Sequence, residues 1–74
     1  MLPNKMIQNF VGSKIRVEMK GDSHVLEGRL ASADEYLNLH LIETVEMEDD
    51  VKIRSLGSVV LRGNNIVMLN PVEG

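Results

Sequence analysis

From Lys14 onward the apolar residues recur at every second position in short runs, and no two runs are separated by the dozen or more residues that a parallel crossover needs. Neighbouring strands must therefore be antiparallel. KIRVEMK places Ile15, Val17 and Met19 against Arg16, Glu18 and Lys20 and is predicted as the first strand. Gly21-Asp22-Ser23 supplies turn chemistry, and HVLEGRLASAD is predicted as a second strand carrying Val25 and Leu30 and bent at Gly28. YLNLHLIETVEM reads as a third strand with Leu37, Leu39 and Leu41 on one face and Tyr36, Asn38 and His40 on the other. The acidic run Glu46, Glu48, Asp49 and Asp50 reads as a solvated loop, without the aspartate and glycine spacing of a calcium loop. VKIRSLGSVVLR, interrupted by Gly57, and NIVMLN, ending at Pro71, supply two more strands, with a tight reversal at Gly63-Asn64 where both residues tolerate positive φ. Before all of these, residues 3 to 11 suit one short helix, with Pro3 in its first turn, Gly12 as its stop and an apolar stripe of Met6, Ile7, Phe10 and Val11. One helix and five bent antiparallel strands make a mainly β chain whose favoured closure is a small barrel.

Seventy-four residues with 43% hydrophobic and 26% charged side chains suit a single domain over residues 1–74 and argue against disorder. A core this small stabilises a fold narrowly, and with no cysteine for disulfides and no visible metal cluster, self-association is the remaining usual support. No apolar run approaches the roughly 18 residues of a membrane span, and MLPNKMIQNF lacks the plan of a secretory signal, so the expected location is the cytoplasm, with no membrane partner.

Catalytic motifs are missing from the sequence: there is no GxSxG, HExxH, P-loop or GxGxxG, and His24 and His40 have no evident nucleophile or ligand set beside them. The expectation is a protein that is not an enzyme and has no cofactor and no catalytic or metal site. Two polar clusters lie where strands meet loops, Asp34-Glu35-Tyr36-Leu37-Asn38 and Arg62-Gly63-Asn64-Asn65. An aromatic plane, an amide with donors and acceptors and a guanidinium are the parts of a site for an unpaired base, so Tyr36, Asn38 and Arg62 suit a single-stranded nucleotide. The same residues also suit plainer roles, a strand tyrosine, turn-forming Asp34 and Asn38, and a solvated Arg62.

At these clusters the chain resembles the Sm and Sm-like proteins over nearly its whole length. The run from Ile15 to Glu46 matches the first family motif, with Gly28, Asp34 and Asn38 in order, and SVVLRGNNIVMLNP, residues 58 to 71, matches the second around Arg62-Gly63. The absence of extended tails looks most like an archaeal member. The resemblance implies an SH3-like Sm barrel whose fourth strand pairs with the fifth strand of a neighbour, giving a homo-oligomeric ring of six or seven subunits that binds uridine-rich single-stranded RNA at its pore. It implies that Tyr36 stacks on the base, Asn38 reads the uracil edge, Arg62 closes the other side and Asp34 orients Asn38, with Gly63 admitting a close backbone and Asn64 adding a polar contact. Such a ring would act in RNA processing, stability or ribonucleoprotein assembly, together with RNA-processing proteins; the alternative is a ring used mainly as a protein scaffold. The chain departs from many relatives at Tyr36, where histidine is common, at Leu37, where methionine is common, and at Asn64, where aspartate is common.

Overall fold

Alternation in β1 (Lys14–Met19) turns Ile15 and Val17 fully inward, and those two side chains seed the core around which the other strands wrap. The computed structural model describes residues 4–21 and 24–72. After β1 come β2 (Val25–Ala33), β3 (Leu39–Glu48), β4 (Val51–Leu61) and β5 (Ile66–Pro71), all antiparallel in one sheet of order β4-β3-β2-β1-β5. Leu26 and Leu30 from β2, Leu39 and Leu41 from β3 and Leu61 from β4 join Ile15 and Val17, and Ile7 closes one end. No helix among the described residues is long and apolar enough to cross a membrane.

The helix, α1 (Asn4–Gln8), is shorter than the spacing predicts. From Met6 the backbone bonds tighten to three-residue steps, Asn9 to Met6 at 3.1 Å and Phe10 to Ile7 at 3.0 Å, and Gly12, at φ +92°, gives its N–H to the Leu30 carbonyl at 2.7 Å. Capture by β2 ends the helical run. Of the expected stripe only Ile7 is fully buried and Phe10 half-buried, while Met6 and Val11 are exposed. Pro3 and the Asp22-Ser23 part of the first turn lie outside the described residues.

Gly28 is the bend in β2, at a shift of register against β3. A Cβ there would lie 2.8 Å from Thr44 Oγ1, 3.1 Å from the Ile42 carbonyl oxygen and 3.2 Å from Thr44 Cα, so the two strands cross closer than any side chain at position 28 permits. Gly57, at φ +70°, does not interrupt β4; it pairs with Thr44 in a bulge and the strand runs on to Leu61. The expected acidic loop is also different. Glu46 and Glu48 belong to β3, and only Asp49 and Asp50, both at positive φ, make the turn into β4.

Replacing Gly28 by alanine should cost about 1–3 kcal/mol, because backbone as well as the Thr44 hydroxyl stands where the methyl must go. A lower urea midpoint with an unchanged slope is the expected result.

Candidate nucleic-acid interface

The connection from β2 to β3 is built on one carboxylate. Asp34 Oδ1 accepts the backbone N–H of Tyr36 at 2.9 Å and of Asn38 at 3.0 Å, and its own carbonyl accepts the Leu37 N–H at 3.1 Å. These bonds hold Leu37 at φ +61°, a left-handed conformation that a leucine seldom adopts unaided. Residues 34–38 are thus a turn and not the start of the third strand, which begins at Leu39. The strand alternation expected of Tyr36, Leu37 and Asn38 fails there because Asp34 satisfies backbone donors that a sheet would otherwise pair.

The side chain of Asn38 then ties this turn to the one after β4. Its Nδ2 donates to Asp34 Oδ2 at 3.0 Å, and its Oδ1 accepts the Gly63 N–H at 2.9 Å. The amide cannot be turned end for end, since a carboxylate needs a donor and an N–H needs an acceptor. Residues Gly63–Asn65 form a 3₁₀ turn closed by Asn65 N to the Arg62 carbonyl at 3.0 Å, and the Asn65 carbonyl accepts the Lys20 N–H at 2.6 Å. Gly63 is not at positive φ, contrary to the reversal expected of Gly63-Asn64. It is needed for space: a Cβ would overlap the Tyr36 carbonyl oxygen and stand 2.9 Å from that of Leu37. The close approach it permits is between the two turns themselves.

Tyr36, Asn38, Arg62, Gly63 and Asn64 therefore line one open cleft of about 1130 Å³. Tyr36 is 74% exposed, so its ring offers a free face. Asp34 stands behind them as the anchor, and Arg62 lends it a favourable charge; the Asn38 backbone and side-chain donors hold its carboxyl below the ordinary aspartate value of 3.8. Glu35, from the first polar cluster, also lines the cleft, as do Ile66 and Met68, which sequence reasoning did not find. Ile66 and Met68 enter only because β5 folds back beside the turn.

The LSM domain model matches residues 5–71. The chain belongs to the LSM domain family. Among solved structures this LSM domain is similar to an Sm-like protein, AF-SM2, from Archaeoglobus fulgidus, at 49% identity and a TM-score of 0.91, over 97% of this chain and 96% of that one. It is also similar to the Pyrococcus abyssii Sm protein solved in complex with a uridine heptamer, at 25% identity and a TM-score of 0.85, over 97% and 100% of the two chains. A third is the SmAP1 heptamer of P. aerophilum, at 33% identity and a TM-score of 0.83, over 95% and 92%. The bent five-stranded antiparallel sheet with a short amino-terminal helix is the Sm fold that the sequence resemblance implied.

A carboxyl whose folded value lies below its unfolded one stabilises the turn above the unfolded value and loses that contribution as pH falls through the folded value. On acid titration the backbone and side-chain amide signals of Asn38 should move with a midpoint below the ordinary aspartate value of 3.8. In an Asp34→Asn variant the same signals should not titrate in step, a comparison that two-dimensional NMR makes directly.

Proposed function

We propose that this LSM domain forms a non-catalytic homo-oligomeric ring of six or seven copies that binds uridine-rich single-stranded RNA at a central pore. The observation that carries the reading is the fixed Asn38 amide beside the exposed ring of Tyr36. With one N–H committed to Asp34 and one lone pair to Gly63, Asn38 keeps one donor and one acceptor in a set order. Uracil offers the complement, a carbonyl beside the N3–H, while cytosine offers the reverse order and meets like against like. Tyr36 stacks on the base, Arg62 covers its other side, and Asn64 adds a polar contact near the backbone at Gly63.

Ring formation follows from the two ends of the sheet. β4 and β5 are its edge strands, and both carry exposed apolar side chains, Val60 on one and Val67 and Met68 on the other. Pairing β4 of one copy with β5 of the next satisfies both edges and, if the rotation closes, leaves none. The P. aerophilum relative is a heptamer and the P. abyssii relative was solved with a uridine heptamer, which supports both parts of the reading. A ring also reconciles RNA binding with a net charge of -3 per chain, because copies of Arg62 converging on one pore focus positive potential there whatever the net charge of the outer surface. The role is RNA processing, stability or ribonucleoprotein assembly in the cytoplasm, alongside RNA-processing proteins.

Native mass spectrometry with oligo(U) and oligo(A) of about ten nucleotides should show a six- or seven-fold species that takes up oligo(U) selectively. Arg62→Ala should abolish uptake with the ring intact, and Tyr36→Ala should cost about 1–3 kcal/mol for each stacked base. Affinity should fall only shallowly with salt, since stacking and base-edge bonds carry it. A ring that ignores both strands would replace this reading with the protein scaffold.

A further inference from the structure

His24, immediately before β2, sets both ring nitrogens on carboxylates: Nδ1 lies 2.6 Å from Glu46 Oε2 and Nε2 lies 2.9 Å from Glu48 Oε2. Ionised carboxylates only accept hydrogen bonds, and a neutral imidazole has a single N–H. Both contacts are hydrogen bonds only when the ring carries two protons, so the geometry is that of an imidazolium. Glu46 also accepts from Arg54 Nε through its other oxygen. Cross-strand register explains the demand for two cations: Val17, Leu26, Glu46 and Arg54 stand in one row across β1, β2, β3 and β4. Glu46 therefore shares the face of the buried Val17 and Leu26 and is itself only 7% exposed, where an unpartnered carboxylate would be costly. The neighbouring charges are turned to the alternate row, in which Lys14 and Arg16 of β1 meet Glu27 of β2, and Arg16 also reaches Asp50. Glu18 of β1 pairs with Val25, and Lys52 of β4 pairs with Met47.

We propose that His24, Glu46, Glu48 and Arg54 form a proton-operated clasp that fastens the β3–β4 hairpin to the connection entering β2. With the ring doubly protonated the clasp is closed across three segments. When one ring proton leaves to solvent, one carboxylate faces a nitrogen lone pair; the buried Glu46 holds the remaining N–H, and the outer Glu48, already half-exposed and open to water, is the contact that lets go. The directions of titration agree with this. Hydrogen bonds to Glu46 and then Glu48 raise His24 above its ordinary 6.5, while Arg54 and then His24 lower Glu46 below its ordinary 4.5. The imidazolium contribution is complete below the unfolded histidine value and is lost as pH rises through the folded one; that of Glu46 is lost as pH falls through its own folded value. The clasp is closed in the window between them. It is independent of any RNA at the cleft.

The test is ring-nitrogen NMR of the intact protein across about pH 5–9, with His40 signals separated by a His40→Gln variant. Both His24 nitrogens should carry protons at about pH 6.5, where half of a free histidine is neutral, and the midpoint should lie above that value. Glu48→Gln, an exposed and conservative change, should move the midpoint down. His24→Gln should lower the denaturant midpoint relative to the parent protein at about pH 6, and the deficit should shrink by about pH 9 as the parent loses its imidazolium. A His24 midpoint at or below about 6.5, or one that Glu48→Gln leaves in place, overturns the clasp. So does a loss of stability in His24→Gln that is the same at both pH values.

Discussion

β4 and β5 stand at opposite ends of the sheet, yet only residues 62–65 connect them. Five strands laid flat would put those two edges about 19 Å apart, whereas five backbone steps span at most about 18 Å when fully extended. Three of these residues are wound into a 3₁₀ turn, which shortens the reach further. The sheet must curl, and the place where it can is the crossing of Gly28 over Thr44, where no Cβ keeps the strands apart. The same curl carries the connection after β4 onto the turn between β2 and β3. Curling of the sheet and assembly of the cleft are thus one event, because the contact between Gly63 and the Tyr36–Leu37 carbonyls exists only in the curled sheet.

Two kinds of interaction then divide the work in the cleft. Hydrogen bonds through Asp34 and Asn38 use up most of the polar capacity of the turn to hold its own shape. What is left over faces outward: the Tyr36 ring, one donor and one acceptor on Asn38, and the Arg62 guanidinium. Groups presented this way are already held in place by the bonds behind them, the arrangement that lowers the ordering cost of any binding.

Much of this was legible in the sequence, and the reasons differ by residue. Alternation in KIRVEM identified β1 because its two faces differ sharply in burial, and Gly28 was readable as a bend because glycine inside a strand has few other uses. The grouping of Asp34, Asn38 and Gly63 came through motif resemblance, and the hydrogen bonds give it a physical basis. The left-handed Leu37 was hidden, since a leucine gives no local sign of positive φ and the cause lies three residues away in Asp34. The acidic run misled for a related reason. Glu46 looks solvated until His24 and Arg54, distant in sequence, are brought beside it, and charge counted along the chain does not show pairing across strands. Strand order was likewise invisible, for β1 pairs with β5 from the far end of the chain.

The hydrogen bond between Gly63 and Asn38 also sets how the cleft tolerates change. Its donor is a backbone N–H, which every residue but proline supplies, so chemistry alone leaves position 63 almost unrestricted. Volume restricts it instead, because any β-carbon collides with the neighbouring turn. Position 38 is restricted by its bonds, which demand an oxygen toward Gly63 and a nitrogen toward Asp34. Two residues joined by a single bond are therefore held by unlike constraints, one of shape and one of polarity, and a change at either cannot be offset by a change at the other.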